Sequence, residues 1–135
     1  MTVLDRNKIL QVNDLSTKTV SVPEWKGEVI IKMMTGAERD QFEDSLFEGR
    51  GKDRKSNYKN LRAKLLSMCL VGEDGKRIFS DRDVEALGGK SAKALDRLYS
   101  VAAELNGIGA KEEEELTKNL ESGGNDTSTS PSPAN

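Results

Sequence analysis

Thr17-Lys-Thr-Val-Ser-Val22-Pro-Glu-Trp-Lys-Gly27-Glu-Val-Ile-Ile-Lys-Met-Met34-Thr-Gly-Ala-Glu38-Arg-Asp-Gln-Phe42 is the stretch that decides the fold. Val20 and Val22 alternate with polar neighbours, and Val29, Ile31 and Met33 do the same beyond Pro23 to Gly27. Two β-rich runs around about five turn-type residues predict a hairpin over residues 17–34. Trp25 sits at its tip, either as a lid on the core or as an exposed anchor. Thr35 and Glu38 then have capping-box spacing, which starts a helix over residues 36–48. Phe42 and Leu46 align at i, i+4 with Phe47 beside them, and Arg39, Asp40, Glu43 and Asp44 take the opposite face.

Outward from this nucleus the chain turns helical. Tyr58, Leu61, Leu65 and Met68 recur at spacings of three and four, with Leu66, Cys69 and Leu70 widening the stripe, so a second main helix is expected over 57–71. Cys69 reads as a small core residue, because a reactive thiol wants a polar, electropositive setting. Asp74-Gly75 centres a turn, Arg77 to Phe79 is a short extended piece, and Ser80 with Asp83 caps a short helix that stops at Gly88-Gly89. Ala92, Leu95, Leu98, Tyr99, Ala102 and Leu105 place a third main helix over 91–105, ended by Asn106-Gly107. Toward the N-terminus, residues 3–11 suit a short helix, with Asp5 near its positive end. Toward the C-terminus, residues 111–121 form a marginal acidic helix whose large apolar residues are Leu116 and Leu120, and 122–135 should be disordered. The expected fold is α+β and mainly α-helical. An N-terminal β-hairpin leads into three main helices and short helical pieces, all within one folded domain over residues 1–110.

Composition narrows the function. The 135 residues contain no histidine and a single cysteine. Imidazole acid–base catalysis, His-containing or Cys-based zinc sites and an internal disulfide are therefore excluded. The acids Asp81, Asp83 and Glu85 do not make an EF-hand loop, because a loop opening at Asp81 would place Ala86 at the central glycine and Ala92 at the terminal glutamate. No glycine cluster matches a phosphate-binding or dinucleotide fingerprint. The predicted reading has no enzyme activity, no catalytic or metal-ligating residues and no cofactor. No apolar run approaches the roughly 20 residues of a membrane span, and no apolar signal segment opens the chain.

Charge is distributed unevenly. The formal net charge is −2, but residues 111–135 hold 6 acids against 2 bases, which leaves residues 1–110 at 17 acids against 19 bases. Within residues 50–64, Arg50, Lys52, Arg54, Lys55, Lys59, Arg62 and Lys64 surround a lone Asp53. That stretch is either a solvated loop leading into the polar face of a helix or a nucleic-acid contact, with only Tyr58 available for stacking.

Four short stretches, in order, carry a resemblance: Val22-Pro-Glu-Trp-Lys-Gly27; Thr35-Gly-Ala-Glu-Arg-Asp-Gln-Phe42; Gly75-Lys-Arg-Ile-Phe-Ser-Asp-Arg-Asp-Val84 with Leu87-Gly88; and Leu105-Asn-Gly107. Over about residues 17–120 the chain resembles the small tail assembly chaperones of lambda-like, long-tailed bacteriophages and prophages. The resemblance implies a non-enzymatic protein of the host bacterial cytoplasm. Such a protein binds the long helical tape measure protein, keeps it soluble until tail tube subunits polymerise, and is absent from the mature virion. It also implies a longer form made by a programmed frameshift, for which codons at Lys118-Asn119 could supply an A-rich slippery run; the tail tube protein and a second copy of the chain (a homo-oligomer) are further candidate partners, with the oligomeric state left open. The Ser/Thr/Pro tail matches no family motif. Trp25, Phe42, Phe47 and Tyr99 are the candidate partner-binding residues, since grooves for amphipathic helices need large apolar side chains; the same four would also serve as plain core. The competing readings are a small nucleic-acid-binding regulator using residues 50–64, for which salt-dependent binding is the signature, and a minor structural tail or neck component.

Overall fold

The computed structural model describes residues 2–108. The acidic segment 111–121 and the tail 122–135 lie outside the described residues. The elements run α1 (Arg6–Gln11), β1 (Thr17–Val22), β2 (Gly27–Lys32), α2 (Gly36–Asp44), β3 (Phe47–Glu48), β4 (Lys55–Ser56), α3 (Leu61–Cys69), β5 (Leu70–Val71), α4 (Val84–Gly88) and α5 (Ala92–Leu105). The fold is therefore α+β, with the hairpin first and the helices after it.

β1 and β2 pair antiparallel in a register that sets Val20 opposite Val29 and Val22 opposite Gly27, so Val20, Val22, Val29 and Ile31 share one face. That face meets α5, and Val22 and Ile31 are completely buried. β5 adds a third antiparallel strand, giving the order β1-β2-β5. The second helix, read over 57–71, is shorter at both ends. Asn60 adopts a left-handed conformation (φ 58°) that ends any helix before Leu61, and Leu70–Val71 leave the helix to pair with Ile30 and Ile31. A short apolar run fits a buried helix end or a buried strand equally well by period alone, and here the open edge of β2 takes it.

α3 is the central element. It packs on α5, α4 and α2, and buries seven of its nine residues. Its Ser67 hydroxyl donates to the Lys64 carbonyl (2.9 Å), which satisfies a polar group in the core. The Cys69 thiol is fully buried, and desolvation pushes its pKa up to about 12, as suits a core residue. α5 buries Ala94, Leu95, Leu98, Tyr99, Ala102 and Ala103 along one stripe, with Ser91 accepting from the Ala94 amide at its start. α4 approaches the start of α3 so closely that a Cβ on Gly88 would stand 2.6 Å from the Asn60 side-chain oxygen, so any larger residue there must push the Asn60 side chain aside.

The helix read over 36–48 stops at Asp44. Its start carries the full capping box: the Glu38 amide donates to Thr35 Oγ1 (3.1 Å) and the Thr35 amide to Glu38 Oε1 (2.9 Å). Lys32 Nζ adds hydrogen bonds to both Glu38 oxygens at 2.7 and 2.6 Å. Burial favours the neutral acid at Glu38, but the bonds from Lys32 and Thr35 outweigh it and hold the carboxyl below its usual range. At the other end the Ser45 amide reaches back to the Gln41 and Phe42 carbonyls, and the chain then becomes extended. Phe47 and Glu48 pair with Ser56 and Lys55 in a small second hairpin. The positive φ of Gly49 (85°) permits its turn, and a side chain there would strike the Asp53 backbone.

Candidate functional site

The four aromatic residues singled out from sequence do not form one site. Phe42 is 2% exposed and Tyr99 7%, both inside the main core, so they shape the domain and are not surface anchors. Phe47 is 40% exposed, because the change from helix to strand turns it away from Leu46, which is buried. The Arg54 guanidinium lies 4.7 Å from the Phe47 ring centroid and pairs with Asp44 at 3.0 Å.

Trp25 is half-buried at the tip of the first hairpin. The tip is a single 3-10 turn, Pro23–Trp25, closed by the Lys26 amide donating to the Pro23 carbonyl (3.0 Å) with Lys26 left-handed at φ 55°. The Glu24 carboxylate ties this turn to α5 by accepting two bonds of 2.7 Å from Arg97. Beside the indole, Trp25, Phe79, Ala86, Leu87 and Lys90 line an apolar groove of about 280 Å³. Ala86 is exposed at its wall and Leu87 forms a buried floor. Phe79 belongs by sequence to a short extended piece, and it lines the groove because the turn before α4 folds it toward the hairpin tip.

The hydrogen bonds from Arg97, together with its charge, hold the Glu24 carboxyl well below its usual 4.5, at about 2. The contribution of the pair to stability is therefore complete above pH 4.5 and is lost as pH falls through about 2. Urea midpoints of the wild type and Glu24→Gln should differ at pH 7 and converge toward pH 2. A difference that persists at pH 2 would mean that the glutamate acts through packing and not through charge.

Three of the seven cations in the basic stretch are tied to neighbours in the fold. Arg54 pairs with Asp44, Arg62 with Asp96, and Lys64 Nζ donates to the Ser45 and Asn57 carbonyls at 2.8 and 3.3 Å. Burial lowers the pKa of Lys64. Among the described residues no cluster of His, Cys, Asp or Glu could hold a metal ion, and no helix is long and apolar enough to cross a membrane.

The short helix expected over residues 3–11 is present over Arg6–Gln11, but the sequence assigns no role to the apolar residues around it. Val3 is 93% exposed and Leu10 66%, and Leu4, Ile9, Val12 and Leu15 are about half exposed. The available signal was the density of aliphatic residues before the first strand. Together with the groove at Trp25, these exposed residues give a small α+β protein several apolar surfaces open to solvent among the described residues.

The chain belongs to the phage tail assembly chaperone family, whose model matches residues 6–119. Its fold is similar to that of the bacteriophage HK97 tail assembly chaperone, at 21% identity over 73% of this chain and 90% of that one, with a TM-score of 0.52. No curated protein matches the chain. Family membership places the protein among chaperones, a class that is generally non-enzymatic, with phage tail assembly as its setting.

Proposed function

We propose that this chaperone binds the tape measure protein of its tail in the host bacterial cytoplasm, keeps it soluble until the tube forms around it, and leaves before the virion is complete. The carrying observation is the apolar groove beside Trp25, which suits the apolar face of an amphipathic client helix. Phe47 is a second contact; Phe42 and Tyr99 support the domain from within. Residues 1–110 act as the binding unit. The tail tube protein, a second copy of the chain and a longer frameshifted form are further partners consistent with this role.

The test introduces charge where the core is untouched. Ala86→Glu and Phe47→Glu, both at exposed positions, should shift folding stability by no more than about 0.5 kcal/mol. Co-expressed tape measure protein should move from the soluble fraction to the pellet with either variant. Undiminished solubility with both variants would overturn the groove reading. Stoichiometric amounts of the chain in purified virions, detected by mass spectrometry, would overturn its departure.

A further inference from the structure

The groove beside Trp25 adjoins a second cavity of a different character. Lys90, at the groove wall, also lines a cavity of about 260 Å³ together with Lys59, Asn60, Arg62 and Gly88. Leu87 belongs to the first and Gly88, the next residue, to the second, so the two meet at the end of α4. No aspartate or glutamate lines either of them. Residues 1–110 carry 17 acids against 19 bases, so a lining charged only by cations is a local sorting and not the overall balance. The cavity lined by Phe42 and Met68, by contrast, has both Lys64 and Asp81 on its walls.

The charges here are unequally answered. Arg62 is paired with Asp96, and Glu24 at the hairpin tip is taken up by Arg97. Lys93 adds its positive charge to the field around Glu24. Lys59 and Lys90 are exposed, and no carboxylate pairs with either ammonium among the described residues. An apolar groove can take the apolar face of a helix, but apolar contact is non-directional and does not fix which way the helix runs. Cations at one end of the groove do fix it, because complementary charge sets register and rejects wrong partners.

We propose that the segment seated in the Trp25 groove is an amphipathic client helix with Asp or Glu side chains at one end of its apolar face, received by Lys90 and Lys59, so that charge sets the direction in which the helix lies. The inference rests on the groove reading under the proposed function and adds to it the client's charge and orientation.

The full chain co-expressed and purified with the tape measure protein tests it. Lys59→Glu/Lys90→Glu, at two exposed positions, should keep the wild-type melting temperature and weaken the complex at least about tenfold, since two attractions become two repulsions. The wild-type complex should weaken as salt rises, and Lys59→Arg/Lys90→Arg should bind as the wild type does. Carbodiimide, which joins ammonium and carboxylate groups in contact, should link Lys59 or Lys90 to an Asp or Glu of the client beside an apolar run of helical period, as read by mass spectrometry. Wild-type affinity in the Glu double variant, with binding lost in Ala86→Glu, would overturn the inference and leave the groove standing. Ala86→Glu binding like the wild type would remove the groove from the contact, and this inference with it. Cross-links from the two lysines only to a second copy of the chain, or a nucleic-acid gel shift that the Glu double variant abolishes, would assign the cations elsewhere and overturn it too.

Discussion

Leu98→Ala should cost about 3 kcal/mol, within the range measured for buried leucines cut to alanine. Leu98 is completely buried on α5, the helix that packs on both the sheet and α3, so neither side can collapse into the space without moving the other. In a domain of this size that loss lowers the melting temperature by on the order of 10–20 °C, and it removes a large part of a typical total stability. Ile78→Ala is the control. Ile78 is 53% exposed, and its loss should be several-fold smaller. Thermal denaturation followed by circular dichroism checks both. Equal effects of the two substitutions would contradict the core described above.

Asn106→Leu should cost about 1–3 kcal/mol although it adds apolar surface, because a hydrogen-bonding centre is lost. The Asn106 side chain accepts from the Met34 amide at 2.6 Å and donates to the Ala102 carbonyl at 2.8 Å, with a longer contact to Lys32 O at 3.5 Å. Its backbone carbonyl accepts from Arg39 at 3.1 Å. One residue therefore ties the end of β2, the end of α5 and the start of α2. Leucine would leave the Met34 amide without its acceptor and remove the side-chain amide's bond to the Ala102 carbonyl, which keeps its bond from the backbone amide of residue 106 (3.0 Å). Asn106→Asp separates the two functions, since it keeps the acceptor for Met34 but removes the amide donors and adds negative charge at a helix C-terminus. Leucine should therefore lower the urea midpoint mainly through the Met34 bond, and aspartate through the lost amide donor to the Ala102 carbonyl and the added charge. A midpoint unchanged in both would show that the tie is dispensable.

Local signals in the chain were enough for the elements whose partners are near in sequence. The first hairpin is set by alternating valines on either side of Pro23 to Gly27, and α2 begins where Thr35 and Glu38 satisfy each other's backbone. The stripe of α5 stood out because it has one clear face. Where the chain follows a distant neighbour, local pattern failed. Leu70 and Val71 continue the period of a helix, yet they join β2 because its open edge supplies hydrogen bonds that a helix end would lack. Phe47 continues the stripe of α2, yet pairing with Ser56 turns it out to solvent.

The candidate site was less legible for the same reason. Trp25 could be named from its place at a turn, but its groove needs Phe79, Ala86 and Leu87, which lie more than fifty residues away. Phe42 and Tyr99 are as large and apolar as Phe47, and nothing local separates a core aromatic from a surface one. By itself the amino-acid sequence determined the hairpin, the caps, the core stripes and the absence of histidine chemistry, since each depends on residue type at short spacing. Only the tertiary structure decided which apolar residues face water. Exposure is a property of what packs against a residue, and that is set by long-range contacts.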